Sequence, residues 1–280
     1  MMSSNLAQRD WIGFQDEDIH HIPFPYPWVL NGQSPEAFLE AGLARLAATG
    51  IDLATDVCGF MLETFQGWGA VFYPNEFVQA IEKVCRQNNI LLAFDEMQAG
   101  FGRTGRRFGF QHYGVTPDLI ACGKGMGGGV SLSGVLGSAE VMDLPDIGNM
   151  SSTHSGNPVM CAAALAVLEE LETKNLVAES SRKGKILHSK LGEIKDNFPK
   201  IISGIYGEGL IASIVFHTLE DKSITFQTVS RIAEKCMQKG LLVVHTGRES
   251  IKIGPPLTIP DDALIEGIGV INESIQEILL

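Results

Sequence analysis

Ile90-Leu91-Leu92-Ala93-Phe94-Asp95-Glu96 and, further on, Leu119-Ile120-Ala121-Cys122-Gly123-Lys124-Gly125 share one pattern: a short continuous apolar run that stops on a charged residue or just before one. Runs of this length, without polar alternation, fit strands buried on both faces. Val57–Leu62 and Leu132–Leu136 read the same way. Pro74-Asn75 opens a helix that sets Phe77, Ile81, Val84 and Cys85 on one face and ends at Asn88-Asn89. Strands alternating with helices predict an α/β fold, a mainly parallel sheet flanked by helices with right-handed crossovers. In such sheets ligands gather at the carboxyl ends of the strands. Asp95 and Lys124 both fall at that edge.

Working outward, Pro23-Phe24-Pro25-Tyr26-Pro27-Trp28 places proline at alternate positions, which opposes helix and predicts an extended segment lying over a surface. Ser34-Pro35-Glu36 reads as a helix start, with Ser as N-cap and Pro in the first turn, and the helix runs to about Ala48. An Ala-rich helix is predicted over Pro158–Thr173. Beyond it the texture changes to helices at Ala178–Asn197 and Ile224–Lys239, a β pair at Ile201–Tyr206 and Leu210–Phe216, strands at Leu241–His245 and Ile251–Ile253, and a last helix from Pro260. We therefore expect a large domain over 1–173 and a C-terminal α+β small domain over 174–280.

The composition narrows the function. In 280 residues, 45% hydrophobic and 19% charged content with a mean hydropathy of +0.11 describes a folded chain rather than a disordered one. Lys and Arg number 21 against 33 Asp and Glu, a net charge of −12 that repels phosphate backbones and anionic bilayers. Nucleic acid and membrane partners are thus not expected. No run reaches the ~18 apolar residues of a membrane span, and Met1–Trp11 has no basic-then-apolar signal pattern. Cys58, Cys85, Cys122, Cys161 and Cys236 share no short spacing, which excludes a CxxC metal or redox pair and fits a reducing, cytoplasmic compartment. His112 and His154 have no second ligand at helical or short-loop spacing, so no metal site is expected.

Lys124 is flanked by glycines in Cys122-Gly123-Lys124-Gly125-Met126-Gly127-Gly128-Gly129. The ordinary reading is a solvated lysine in a flexible loop. The phosphate-loop spacing GxxxxGK[ST] is absent, and so is a strand-GxGxxG-helix unit. Asp95 has an ordinary reading too, a turn or helix cap at a strand end. Together, however, an acid and an amine on neighbouring strand ends can address opposite sides of one cofactor ring. One would hold a protonated ring nitrogen and the other would form a Schiff base, the arrangement expected around pyridoxal phosphate.

Asp95-Glu96-Met97-Gln98-Ala99-Gly100-Phe101-Gly102-Arg103-Thr104-Gly105 resembles the DE(V/M)Q-x-GFGRTG segment of class III pyridoxal-phosphate aminotransferases. The same order and spacing continue through His112–Leu119, Gly123–Gly129 and Ser152-Thr153-His154-Ser155-Gly156-Asn157-Pro158. Upstream, Leu62-Glu63-Thr64-Phe65-Gln66-Gly67 resembles an EPxQG segment, with Thr64 in place of the usual Pro. Downstream, Gly207–Leu210 and Pro255–Thr258 match the C-terminal domain, so the resemblance covers roughly residues 50–280. It implies a large domain of the fold type I pyridoxal-phosphate transferases.

The resemblance also implies roles. Lys124 resembles the lysine that carries pyridoxal 5'-phosphate and moves the substrate proton. Asp95 resembles the acid paired with the ring nitrogen, and Gln98 the residue bonded to the ring hydroxyl. Met97 sits where a side chain packs on one ring face. Thr153 matches a threonine that binds the phosphate of the neighbouring subunit's cofactor, which implies a homodimer with shared sites; by itself it also reads as a helix-preceding cap. Glu63 corresponds to a glutamate that pairs with a C-terminal arginine in members acting on ω-amino acids. Lys252 stands at that arginine's position, and a lysine cannot form a guanidinium's bidentate clamp on carboxylate. Arg248 is a nearby substitute. Arg103 reads as a structural ion pair, and Trp68 as packing or the rim of the substrate pocket.

The implied activity is a transaminase that moves an amino group between an amino acid or amine donor and a keto acid or aldehyde. A same-fold aminomutase or racemase and a catalytically silent truncated homologue are the alternatives. The family's phosphate-holding small-residue loop and ring-stacking aromatic are not found upstream of residue 50, so the expectation is the second part of a longer enzyme.

Overall fold

The computed structural model describes residues 16–217 and 222–279; the reading of Met1–Trp11 lies outside them. The chain divides into two compact units, Met1–Phe60 with Tyr73–Ile90, and Met61–Phe72 with Leu91–Leu280.

In the first unit the Pro35–Ala48 helix starts as expected, with Ser34 Oγ accepting from Ala37 N–H at 3.2 Å. It packs on the Asn75–Asn88 helix through Phe38 and Phe77, whose ring centroids lie 6.4 Å apart. Asn89 ends that second helix in the left-handed region at φ 55. The proline run departs from its reading at the end: Pro27–Leu30 forms one helical turn. Pro27 stands at the first helical position, where a missing N–H costs nothing.

The second unit holds two four-stranded sheets, with the first two residues of the Gly59–Glu63 strand belonging to the first unit. The first has the order β1 (Gly59–Glu63), β4 (Leu91–Asp95), β5 (Leu119–Cys122), β6 (Gly134–Gly137), where β2 (Phe65–Gln66) and β3 (Val71–Phe72) form a separate hairpin. β4 and β5 are parallel, with Ala93 opposite Leu119 and Asp95 opposite Ala121; β6 returns antiparallel to β5. Leu92 and Phe94 are fully buried, as read. The outer strands are not buried on both faces. In β1 only Leu62 is buried, and in β6 Val135 and Leu136 are 52% and 50% exposed. Their continuous apolar runs imitate central strands, yet both strands stand at the sheet's edges.

The second sheet is antiparallel, in the order β7 (Ile202–Glu208), β8 (Ile211–Phe216), β10 (Ser250–Ile253), β9 (Val244–His245). Every residue of β8 is buried, because the Leu176–Asn197, Lys222–Gln238 and Asp261–Leu279 helices share a core with this sheet. Leu187, Leu191, Ile214, Ile232, Ile251 and Ile275 are among its fully buried members. β9 is shorter than the Leu241–His245 reading, and Leu242 is strongly exposed.

Candidate functional site

The parallel register sets the geometry. Asp95 closes β4 opposite Ala121, so the chain leaving β5 carries Lys124 out at the same edge. Gly123 is extended, and a Cβ there would overlap the Met97 sulfur. The glycine thus lets Met97 lie against the strand exit. Lys124 itself has φ 39, a left-handed conformation that non-glycine residues rarely adopt. Its side chain is exposed at the start of the Lys124–Gly127 3-10 turn. Strain of this kind persists where the surroundings over-determine it, most often at functional positions.

Adjacent strand residues point to opposite sides, which separates the two acids. Asp95 Oδ1 accepts the Met97 N–H at 2.9 Å, so the turn role and the edge position coexist. Glu96 points inward and is fully buried. Its Oε1 accepts from the Thr64 hydroxyl and from Phe110 N–H at 2.8 Å, and its Oε2 from Gly109 N–H at 2.8 Å. Burial pushes the Glu96 carboxyl up, and these three donors hold it back. Thr64, the departure from the family's proline, therefore anchors Glu96 beneath the Asp95–Gln98 turn. Neither role was readable from sequence; the only signal was the unusual pair of adjacent acids after an apolar strand.

The loop between β2 and β3 closes the other side. Its successive carbonyls each accept a side-chain donor from the antiparallel sheet: Gly67 O from Lys252 Nζ at 2.8 Å, Trp68 O from Ser250 Oγ at 3.3 Å, and Gly69 O from the Ser213 hydroxyl. Ser250 and Lys252 lie two apart on β10, and Lys252 stands opposite Ser213, so one face of the sheet supplies all three. Lys252 Nζ also donates to Gln98 Oε1 at 2.9 Å. Gly67 N–H donates to Glu63 Oε2 at 3.3 Å. A Cβ on Gly67 would come within 3.1 Å of both Gln98 Nε2 and Glu63 Oε1, so this glycine sits between the two side chains.

Glu63, Asp95, Met97, Gln98, Lys124 and Lys252 are thus gathered in one region. Desolvation pushes the Glu63 carboxyl up, with the Asp95 charge adding to it, while Gly67 N–H, Lys124 and Lys252 oppose the rise. Burial pushes the Lys252 ammonium down, and Lys124 adds to that against the attraction of Glu63. Lys252 feels the Glu63 charge but spends its hydrogen bonds on Gly67 and Gln98. Thr153 lies in an exposed turn before the Pro158–Thr173 helix, and among the described residues no hydrogen bond joins it to this cluster. Nor is it the helix cap, because Asn157 Oδ1 accepts from Val159 and Met160 N–H at 3.0 and 3.4 Å.

Three further residues have defined surroundings. Arg103 is structural, but its buried guanidinium donates to the carbonyls of Leu210 and Pro255 rather than to a carboxylate. The Arg248 guanidinium lies 3.9 Å over the Trp68 ring, a cation–π contact at the edge of the same loop. His112 Nε2 lies within 3.1 Å of the Thr104 carbonyl and hydroxyl, and among the described residues no cluster of potential metal ligands occurs.

The donor set fits a substituted pyridine aldehyde. It offers a carboxylate for a ring N–H, an amide N–H for a ring oxygen, and a primary amine for the aldehyde carbon, all at one strand edge. Known proteins resemble this chain along most of its length. The family model for class III aminotransferases matches residues 3–275, further toward the N-terminus than the motif resemblance reaches. The leucine/methionine racemase of Thermococcus litoralis is 33% identical over 267 residues, covering 93% of this chain and 60% of that protein. The acetylornithine aminotransferase of a Synechocystis species is 33% identical, covering 91% and 56%. Among solved structures, an ornithine aminotransferase from Plasmodium yoelii superimposes with a TM-score of 0.75 at 28% identity, over 87% of this chain and 61% of that one. An S-selective transaminase from an Arthrobacter species with alanine bound gives 0.77 at 28% identity, over 85% and 55%. The chain spans about three fifths of the length of these relatives. It belongs to the class III aminotransferases, a pyridoxal-phosphate-dependent family.

Proposed function

We propose that the chain carries the catalytic lysine and ring-binding residues of an aminotransferase acting between an amino acid or amine donor and a keto acid or aldehyde acceptor. The observation that carries this reading is the β4–β5 register, which sets Asp95 and Lys124 at one sheet edge with Gln98 beside them. When bound, pyridoxal phosphate supplies an electron sink for the charge that develops at the substrate α-carbon. Asp95 would hold a proton at the ring nitrogen, and Gln98 would offer its amide N–H to the ring oxygen. Met97, which lies against Gly123, would pack on one ring face. Lys124 would hold the cofactor's aldehyde carbon through its primary amine, and its Nζ would carry the proton that leaves the substrate α-carbon. Glu63 and Lys252 face the substrate end, where a lysine offers a point charge to a carboxylate and no bidentate clamp.

Thr153 acts in this reading as a phosphate ligand of the neighbouring subunit in a homodimer. The chain on both sides of it supports that, because Val135, Leu144, Ile147, Met150, Val159 and Leu165 are exposed apolar side chains. Division at residue 174 into cofactor and small domains belongs to the same proposal, as does a cytoplasmic location, which five cysteines sharing no short spacing support.

A racemase is the second reading, favoured by the Thermococcus litoralis relative. It requires the α-proton to return to the opposite face with no acceptor consumed. The test is a visible absorbance band on adding pyridoxal phosphate, followed by borohydride trapping and peptide mapping. We expect the label on Lys124 and none in Lys124→Ala; trapping that survives in the variant overturns the assignment. Turnover without a keto acid would select the racemase.

A further inference from the structure

We propose that Lys252 is a positioning residue that fixes the orientation of the Gln98 side-chain amide, turning its Nε2 donor toward the cofactor ring. The inference rests on the reading of Gln98 as a ring contact given above. A lysine ammonium has three donors and no acceptor. At 2.9 Å from Lys252 Nζ, the Gln98 atom must therefore be the oxygen. With Oε1 turned to Lys252, the opposite end of the amide is Nε2, a donor in both its N–H bonds. Free rotation would instead present oxygen or nitrogen to the ring with similar ease, and an oxygen there would face the ring oxygen lone pair to lone pair.

Lys252 is itself held in place. Its second bond goes to Gly67 O at 2.8 Å, in the loop whose neighbouring carbonyls accept from Ser250 and Ser213. Gly67 N–H meanwhile engages Glu63 at 3.3 Å. The Gly67 residue thus receives the cation on one side and the acid on the other, and Lys252 aims at Gln98. The lysine that cannot clamp a substrate carboxylate in two-pronged fashion serves to orient a ring-binding amide.

The test has a cofactor arm and a cofactor-free arm. In the loaded protein, the pH midpoint of the visible absorbance is titrated for wild type, Lys252→Met and Lys252→Arg. Losing the oriented donor makes the ring oxygen hold the shared proton more tightly, so Lys252→Met raises the midpoint by about one pH unit, a tenfold change. Lys252→Arg keeps a charged donor and returns the midpoint to within about 0.3 unit of wild type. In a Gln98→Ala background the Lys252→Met shift falls below half its size. An equal shift in both backgrounds shows a bare charge effect and overturns the proposal.

The cofactor-free arm is a double-mutant cycle of Lys252→Met and Gln98→Ala in urea unfolding. A charged hydrogen bond between the two predicts coupling of about tenfold in the unfolding equilibrium constant. Coupling below about twofold overturns the proposal whether or not cofactor binds. A wild-type protein that develops no absorbance refutes the functional reading alone, and the cycle still decides the positioning role.

Discussion

Thr64→Val is the sharpest probe of how the site is built. The Thr64 side chain is fully buried, and its hydroxyl donates to Glu96 Oε1, whose carboxylate also accepts from the backbone N–H groups of Gly109 and Phe110. Valine keeps the branched shape and removes one donor, so no large cavity opens. A hydrogen bond to a charged group contributes about 1.5–3 kcal/mol. We therefore expect a loss of about 2 kcal/mol at pH 7.5, equivalent to about 4–8 °C in the unfolding midpoint for a chain of this size. The pH dependence gives the reasoning its sign. Burial places the folded Glu96 carboxyl above its ordinary value, and loss of Thr64 removes the first of the groups holding it down. A raised acid favours the folded state below its unfolded value and loses that contribution as pH rises through the folded value. As pH falls through that window, Glu96 takes up a proton, the bond loses its charge, and the penalty shrinks toward about 1 kcal/mol. Urea unfolding of both proteins between pH 5 and pH 8 measures it. A penalty under about 0.5 kcal/mol, or one that does not change with pH, would refute the view of Glu96 as a buried, donor-held anchor.

Other outcomes follow from the packing. Gly209 has φ 56, and a Cβ there would overlap the Thr104 carbonyl carbon and lie 2.5 Å from Gly105 N; Gly209→Ala should cost more than about 3 kcal/mol in thermal unfolding, since only backbone can move. Asn157→Ala should cost about 1 kcal/mol as a lost cap, whereas Thr153→Ala should stay within about 0.5 kcal/mol, and chemical denaturation separates the two. Iodoacetamide on the native protein at pH 8, read by mass spectrometry, should label the exposed Cys58 and Cys161 and spare Cys85, Cys122 and Cys236. Cys122 is held back by burial, which together with the Glu96 charge pushes its thiol up to about 11; labelling it as fast as Cys58 would contradict the buried strand end.

Much of this molecule is legible in its sequence. The Pro158–Thr173 helix and the Leu119–Cys122 strand fall where local signals place them, because caps, prolines and apolar runs act over a few residues. Asp95 and Lys124 were recognisable as a pair because each follows an apolar run, and parallel strands bring such ends to one edge. Tertiary structure alone decided which of two adjacent acids turns inward, since that depends on where the Thr64 hydroxyl and the Gly109 and Phe110 N–H groups wait. It also decided that Val57–Leu62 and Leu132–Leu136 contribute edge strands, because an apolar run has the same composition at the centre of a sheet and at its rim. Above all, it joined Lys252 to Gln98 across 154 residues of chain. No local propensity encodes that bond; it exists because the antiparallel sheet delivers one face of β10 to the loop carbonyls beside the site.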